Sequence, residues 1–444
     1  MKDNILGLIE NRQYAKVRAE VAEWNEADVA DLLEELPEEE ALKVFRLLPK
    51  DMAAEVFSFL PIEMEHQIIT SLSEREAYNI IENLYADDAA DLLEEMPANV
   101  VKRILANASV ETRHDINQLL QYPEDSAGSL MTVEYTALKE EWTVEQAIED
   151  IRRHGMKNET INTCYVLTNS RKLVGIVSLR ELLLNDPSAN LKDIMEDRPI
   201  TVHTKDDQEE VARDFQKYDF TVMPVVDSEN RLVGIITVDD IVDIIEQEAT
   251  EDMEKMAAIV PSDKPYMKTS VIELVKKRIP WLLLLMISAT FTGMIITSFE
   301  EKLAACVALT AYIPMLMDTG GNAGGQASVS IIRGISLNEI EFEDIFRVIW
   351  KEIRVALCCG LILAAANFVK LLVVDRVELS VDLVICLTLV VTVFCAKFVG
   401  CTLPILAKKI GFDPAVMASP FITTIVDAIS LAVYFNFATL ILGL

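Results

Sequence analysis

The chain has 444 residues and a net charge of −31, from 71 Asp and Glu against 40 Lys and Arg. So much acid argues against a nucleic-acid partner, which needs a basic footprint, while the length allows two or three domains. The acid is unevenly spread: residues 1–270 hold 57 acidic and 27 basic side chains, residues 271–444 only 14 and 13. An acidic soluble half is joined to a nearly neutral, apolar half. Met1–Glu10 has no continuous apolar run, so no cleaved signal peptide is expected and the acidic half should stay on the side where it is made. Six of the seven cysteines lie in the apolar half without four-ligand spacing, and the four histidines share no metal-ligand spacing, which removes support for zinc or copper chemistry.

Residues 1–124 carry a twelve-residue repeat. Leu36-Pro37, Leu48-Pro49, Leu60-Pro61, Leu72-Ser73, Leu84-Tyr85 and Met96-Pro97 mark its period, and Asp31–Pro37 returns almost unchanged as Asp91–Pro97. Each unit is two helical turns, too short to be stable alone. Stacked neighbours would bury the leucines, predicting an all-α superhelix. Its acids, among them Asp87, Asp88 and Asp91, read either as a solvated face or as a metal site.

A second repeat has a period of 59: Leu173–Leu182 matches Leu232–Ile241. Each copy reads as a β-hairpin whose last strand ends in Ser178 or Thr237 and runs into a helix. Upstream helices are predicted over Val144–His154 and Glu209–Lys217. The pattern resembles a tandem pair of CBS domains, α+β in class, over residues 125–248. The resemblance implies a cleft for an adenine nucleotide such as ATP, with Asp240 on the ribose. An acidic run then follows from Asp239 to Glu254. Asp240, Asp243 and Glu251 would share one helix side, with Glu248 and Asp252 next to it. Like charges at this spacing repel, so the run is either a solvated face or a cation sensor. A connecting helix over 249–278 would carry its state into the membrane.

Five apolar segments meet the requirement of about 20 residues for a spanning helix: Ile279–Ser298, Leu303–Ile332, Val355–Val374, Leu383–Ala407 and Pro414–Leu444. Basic and acidic connections alternate between them, which places the N-terminal half in the cytoplasm. Asp318 and Asp427 lie inside these segments, where charge costs several kcal/mol and normally faces a bundle interior or a water path. Asp318 precedes the glycine-rich run Thr319–Gln326. That run reads either as small-residue helix packing or as a path lined by backbone carbonyls and Asn322. Asp427 follows Thr423 and Thr424, which add hydroxyl oxygens, and its alternative reading is a neutral carboxyl or a partner of Lys397. Oxygen-only ligands suit a hard, partly hydrated cation such as Mg²⁺.

Pro314–Gln326 with Arg333-Gly334, and Asp413-Pro414 with Pro420–Asp427, resemble the MgtE family of magnesium channels, as does the order of the parts. The resemblance implies a multidomain membrane protein: an all-α N-terminal superhelix (1–124), an α+β tandem CBS pair (125–248), a connecting helix (249–278) and a five-span α-helical transmembrane domain (279–444). It further implies a multi-pass homodimer in the plasma or inner membrane that takes up Mg²⁺ through one pore at the two-fold axis. In that frame Asp427 is the selectivity carboxylate and Asp413 the acid near the cytoplasmic mouth. Asp207, Glu209, Asp219, Asp240, Asp243, Glu248, Glu251 and Asp252, with Asp87 and Asp91, would hold cytosolic Mg²⁺ and gate the pore. The competing readings are a nucleotide-controlled membrane sensor, a transporter of Co²⁺ or Mn²⁺, and a CBS-regulated anion channel, which two buried acids disfavour. No P-loop, nucleophile elbow or metal-hydrolase motif points to an enzyme.

Overall fold

The computed structural model describes residues 2–262, 266–267, 269–417 and 419–443. The chain divides into two units, Met1–Ile245 and Glu246–Leu444.

In the first unit the twelve-residue repeat becomes one short helix per period. Among the described residues ten helices run from α1 (Lys2–Glu10) to α10 (Val110–Leu119). Pro37, Pro49, Pro61 and Pro97 occupy the N-cap positions of the helices that follow them, so the prolines start helices as well as ending them. Val29, Leu32, Leu33, Val44, Phe57, Ile69 and Leu92 from successive helices are buried in one continuous core.

The 59-residue repeat gives two three-stranded sheets. The first is β1 (Tyr135–Lys139), β2 (Thr160–Leu167) and β3 (Leu173–Ser178), with β1 parallel and β3 antiparallel to β2. The second repeats that order in β4 (Val202–His203), β5 (Val222–Val226) and β6 (Leu232–Thr237). The expected upstream helices are α11 (Val144–His154) and α14 (Gln208–Tyr218); α12 (Leu179–Leu184) and α13 (Leu191–Ile194) lie between them. The glycine common to both repeats has a steric cause. A Cβ at Gly175 would stand 2.8 Å from the Glu196 carbonyl oxygen, and one at Gly234 2.6 Å from that of Thr132. Tyr165, Leu173, Val222 and Leu232 share one core, so the copies fold as a pair. Ala86 and Ala90 of α8 (Ala86–Glu94) are buried with Val211 and Ile236, which seats the helical repeat on the CBS pair.

Helix α15 (Val238–Met256) leaves β6 and ends before the first spanning helix begins at Val271. The connecting helix expected over 249–278 is therefore two pieces. Ala258 takes a positive φ of 56°, and α16 (Val271–Ser298) starts afresh with Ser270 capping the amide of Glu273. Lys277 of α16 donates to the Pro261 carbonyl at 2.9 Å.

The second unit continues with α17 (Glu300–Ala305), α18 (Ile313–Ser336), α19 (Ile345–Lys370), α20 (Leu379–Lys409) and α21 (Ser419–Leu442). Among the described residues four segments are long and apolar enough to cross a membrane: Val271–Ser298, Phe342–Asp375, Leu379–Lys409 and Ala415–Leu442. The expected fifth, Leu303–Ile332, is not among them. It is broken by a 3₁₀ turn at Val307–Tyr312, and the polar run Asp318–Gln326 dilutes the hydropathy of α18. At 24 residues α18 is nonetheless about 36 Å long, enough for a bilayer core of about 30 Å. It packs between α20 and α21 through Gly320, Gly321, Ala323, Gly324 and Ala327, all buried.

Candidate ion path and cation-sensing acids

Asp318 and Asn322 are four residues apart on α18, and Thr423 and Asp427 are four apart on α21, so each pair lies on one helix face. The two faces meet. Met317, Asp318, Gly321, Asn322, Thr423 and Asp427 line one cavity of about 230 Å³. Glycine makes the approach possible: a Cβ at Gly321 would stand 3.1 Å from Thr423 Cγ2, and one at Gly320 2.8 Å from Val426 Cγ1. The small-residue run is thus both the packing surface and one wall of the cavity. Asp427 Oδ1 is buried without a hydrogen-bond donor, and no Lys, Arg or His lines the cavity. Thr424 is not among the lining residues; its hydroxyl donates to the Pro420 carbonyl at 3.2 Å.

Lys397 does not pair with Asp427. It is 6 % exposed and lies 3.7 Å from Glu352 of α19. This buried ion pair links two spanning helices, α20 and α19, by charge and not by a hydrogen bond, since Glu352 Oε2 has no donor.

Asp413 is committed as well. Its Oδ1 accepts the Ala415 amide at 2.7 Å, and its Oδ2 accepts from Lys255 Nζ at 2.7 Å. The same ammonium reaches Glu251 at 2.7 Å. Burial works against the lysine's charge, but the hydrogen bonds to Asp413 and Glu251 outweigh it and raise its pKa above the usual range. Met256 packs on Ile332 and Ala415, and the Ser336 hydroxyl points at Asp252 from 3.4 Å. The C-terminal turns of α15 are thereby docked beside the end of α18 and the loop before α21. Of the acids predicted to bind cytosolic cation, Glu251, Asp252 and Asp413 meet here, with a lysine between two of them.

Other predicted ligands gather in the first unit. Asp87, Asp88 and Asp91 on α8 face Asp240 and Asp239 on α15, joined by Glu65 of α6 (Ile62–Ser71), Glu134 and Glu159. Burial and the like charges of Asp88 and Asp91 push Glu65 up to about 9. Burial followed by the charges of Asp240 and Asp239 lifts Asp88 to about 6. Glu159 is raised to about 7 by burial and by Asp239 and Asp240, and its Oε2 has no hydrogen-bond donor. Asp87 is driven well above the usual carboxylate range by burial, Asp88 and Asp240. Asp91 is held at about 7 by partial burial, Asp88, Glu94 and Asp240; because it stays solvent-facing, the neighbouring charges are the firmer cause. Asp240 is raised to about 6, chiefly by burial, against the opposing bond from Thr237 Oγ1 at 2.8 Å.

Of the remaining predicted ligands, Asp243 adds its charge to Asp240. Asp207 caps α14 through the Glu209 amide at 2.9 Å, and Glu209 is paired with Arg213. Asp219 ends α14 in the left-handed conformation. Asp243 and Glu248 continue along α15. Among the described residues no three His, Cys, Asp or Glu side chains are arranged as direct ligands to one metal ion. Sequence reasoning missed Glu65, Glu134 and Glu159, which are scattered single acids, and the roles of Lys255 and Glu352, whose partners are far away in sequence.

Comparison with known proteins matches each part. Residues 313–437 match the family model of the MgtE divalent cation transporter, 24–125 that of the MgtE intracellular N domain, and 127–186 and 191–247 that of the CBS domain. The magnesium transporter MgtE of Thermus thermophilus is 41 % identical over 331 residues, covering 74 % of this chain and 73 % of that protein. The MgtE of Bacillus subtilis is 37 % identical over 328 residues, 73 % of this chain and 71 % of its own length. Among solved structures, the cytosolic domain of the Mg²⁺ channel MgtE in complex with ATP aligns with a TM-score of 0.53 at 39 % identity. It covers 55 % of this chain and all of that one. The soluble part of a magnesium transporter aligns with a TM-score of 0.52 at 30 % identity, over 56 % of this chain and 98 % of that one. With its domains in the same order and its identity sustained over most of the chain, this protein belongs to the MgtE family of divalent cation transporters.

Proposed function

We propose that this chain takes up Mg²⁺ across the cell membrane along a path through the α18–α21 cavity, and that Mg²⁺ in the cytoplasm closes that path. The cavity itself carries the reading: carboxylates, an amide and a hydroxyl converge on it with no cationic side chain among the lining residues. Hard oxygen ligands and room for water suit an ion that dehydrates reluctantly. The names of the relatives support Mg²⁺ as the cargo. Two copies of the chain form the path in this proposal, because Asp318 is exposed on the face of α18 and an ionised group at that depth needs a partner or water.

Regulation rests on the acids. Asp87, Asp88, Asp91, Glu159 and Asp240 repel one another while ionised, so a divalent cation drawn among them would favour their approach. Asp207, Glu209, Asp219, Asp243 and Glu248 widen the acidic surface offered to cytosolic Mg²⁺. Glu251, Asp252 and Asp413 sit where α15 meets the pore helices, so the state of that helix reaches the mouth of the path. The CBS pair takes ATP in this proposal, with Asp240 toward the ribose. The ATP-bound relative supports that assignment.

The test is Mg²⁺ entry into proteoliposomes bearing the full chain, compared with Asp427→Asn. We expect entry in the wild type and a loss of at least tenfold in the variant, with unchanged behaviour on gel filtration. A variant that passes Mg²⁺ at the wild-type rate places the path elsewhere.

A further inference from the structure

The cavity contains one more charge than a single-carboxylate filter uses. Asp318 lines it opposite Asp427, and its place is held by packing. Gly320 and Gly321 set the spacing of α18 from α21: an added methyl at Gly320 would collide with Val426, and one at Gly321 would press tightly on Thr423. Lys397, the nearest mid-span cation in sequence to either helix face, is engaged with Glu352. Two carboxylates thus face one volume, and one of them, Asp427, has a buried oxygen with no donor.

We infer that Asp318 is a second specificity-determining carboxylate, which makes the site selective for divalent over monovalent cations. The inference rests on the transport reading above. Two carboxylates in one cavity are neutralised by a single Mg²⁺, whereas Na⁺ or K⁺ would have to enter in pairs that repel each other. The volume of about 230 Å³ is several times the ~30 Å³ share of one water, so the ion fits with hydration water and is read by charge through that water. Removing Asp318 halves the negative charge that each copy of the chain brings to the path and so weakens that discrimination.

The experiment uses the full chain in proteoliposomes with Asp318→Asn, Asp318→Ser and Asp318→Glu. Because Asp318 is exposed on the isolated chain, the neutral variants remove charge and not packing. Two readouts are taken: the Mg²⁺ concentration for half-maximal entry, and Na⁺ entry with and without Mg²⁺. Both neutral variants should raise the half-maximal concentration about tenfold and admit Na⁺ that Mg²⁺ no longer blocks. Asp318→Glu should recover the divalent preference. A merely structural role would lower flux without moving either ratio, and that outcome overturns the inference. So does wild-type half-saturation with wild-type Na⁺ exclusion in the neutral variants. If the wild type itself passes no Mg²⁺, the transport reading fails first, which separates the two failures.

Discussion

Replacing Asp88 and Asp240 by Asn should tighten the seat of α8 on the CBS pair in the absence of Mg²⁺. In the folded chain Asp240 is held at about 6 and Asp88 at about 6, roughly two units above ordinary aspartate. One unit corresponds to about 1.4 kcal/mol, giving about 3 kcal/mol for each acid considered alone. Part of this is one repulsion counted from both ends, and both groups keep some water, so about 1–3 kcal/mol for the pair is the working figure. The sign follows from linkage. These folded pKa values are raised above the unfolded ones, so the penalty is absent below pH about 4. It grows between pH about 4 and 6 for these two acids, and up to about 7 for Glu159 and Asp91, and is complete above that. Amide hydrogen exchange of Ala86–Glu94 in the full chain, corrected for intrinsic rate, reads it directly. Exchange should be faster at pH 8 than at pH 4.5 without Mg²⁺. Millimolar Mg²⁺ at pH 8 should restore protection. The double variant should exchange about 5- to 150-fold more slowly than wild type at pH 8 without Mg²⁺, the range that 1–3 kcal/mol spans. It should then gain little from Mg²⁺. Wild-type exchange in the variant would refute the repulsion argument, and full Mg²⁺ protection in the variant would refute the assignment of the cation to these acids.

Lys397→Met leaves Glu352 buried without its cation and should cost about 3–5 kcal/mol, seen as a lower unfolding temperature in detergent. Adding Glu352→Gln to it should recover most of the loss, and a double variant no better than the single one would mean the pair is not what holds α20 to α19. For the nucleotide, calorimetry on the full chain should show ATP binding that Asp240→Ala weakens about tenfold; no heat at millimolar ATP would remove ATP from the proposal.

What could be read in advance was what repeats locally. The twelve-residue period fixed the short helices because each Leu-Pro step both closes one helix and caps the next. The 59-residue period gave the strand-to-helix junctions at Ser178 and Thr237 because each side of the junction has its own pattern. Asp427 was legible because a carboxylate in an apolar run has no inexpensive explanation. The connector departs from its reading for a local reason: a helix inferred from composition over 249–278 cannot register a break at one residue such as Ala258. The segment Leu303–Ile332 is likewise interrupted near its start by the turn at Val307–Tyr312, while α18 keeps the length of a spanning helix and its mean hydropathy is lowered by the run Asp318–Gln326. Long-range pairings left no trace. Glu352 reads as part of a basic cytoplasmic flank with Lys351 and Arg354, yet it pairs with Lys397. Lys255 sits in an acidic run and turns toward Asp413.

Those two lysines explain why a membrane half with nearly balanced charge can still attract cations. Residues 271–444 hold 14 acidic and 13 basic side chains, which on average predicts no field. The balance is spent in particular places: Lys397 on Glu352, Lys370 on Asp375 at 2.6 Å, and, contributed from α15, Lys255 on Asp413. Each pairing neutralises an acid away from the cavity and leaves Asp318 and Asp427 as the charges that face it. For the proposed path, where the positive charges are tied down matters as much as where the negative ones stand. Freeing either Lys397 or Lys255 from its partner would place a mobile ammonium within the same helical unit as the cavity, where it would compete with the cargo.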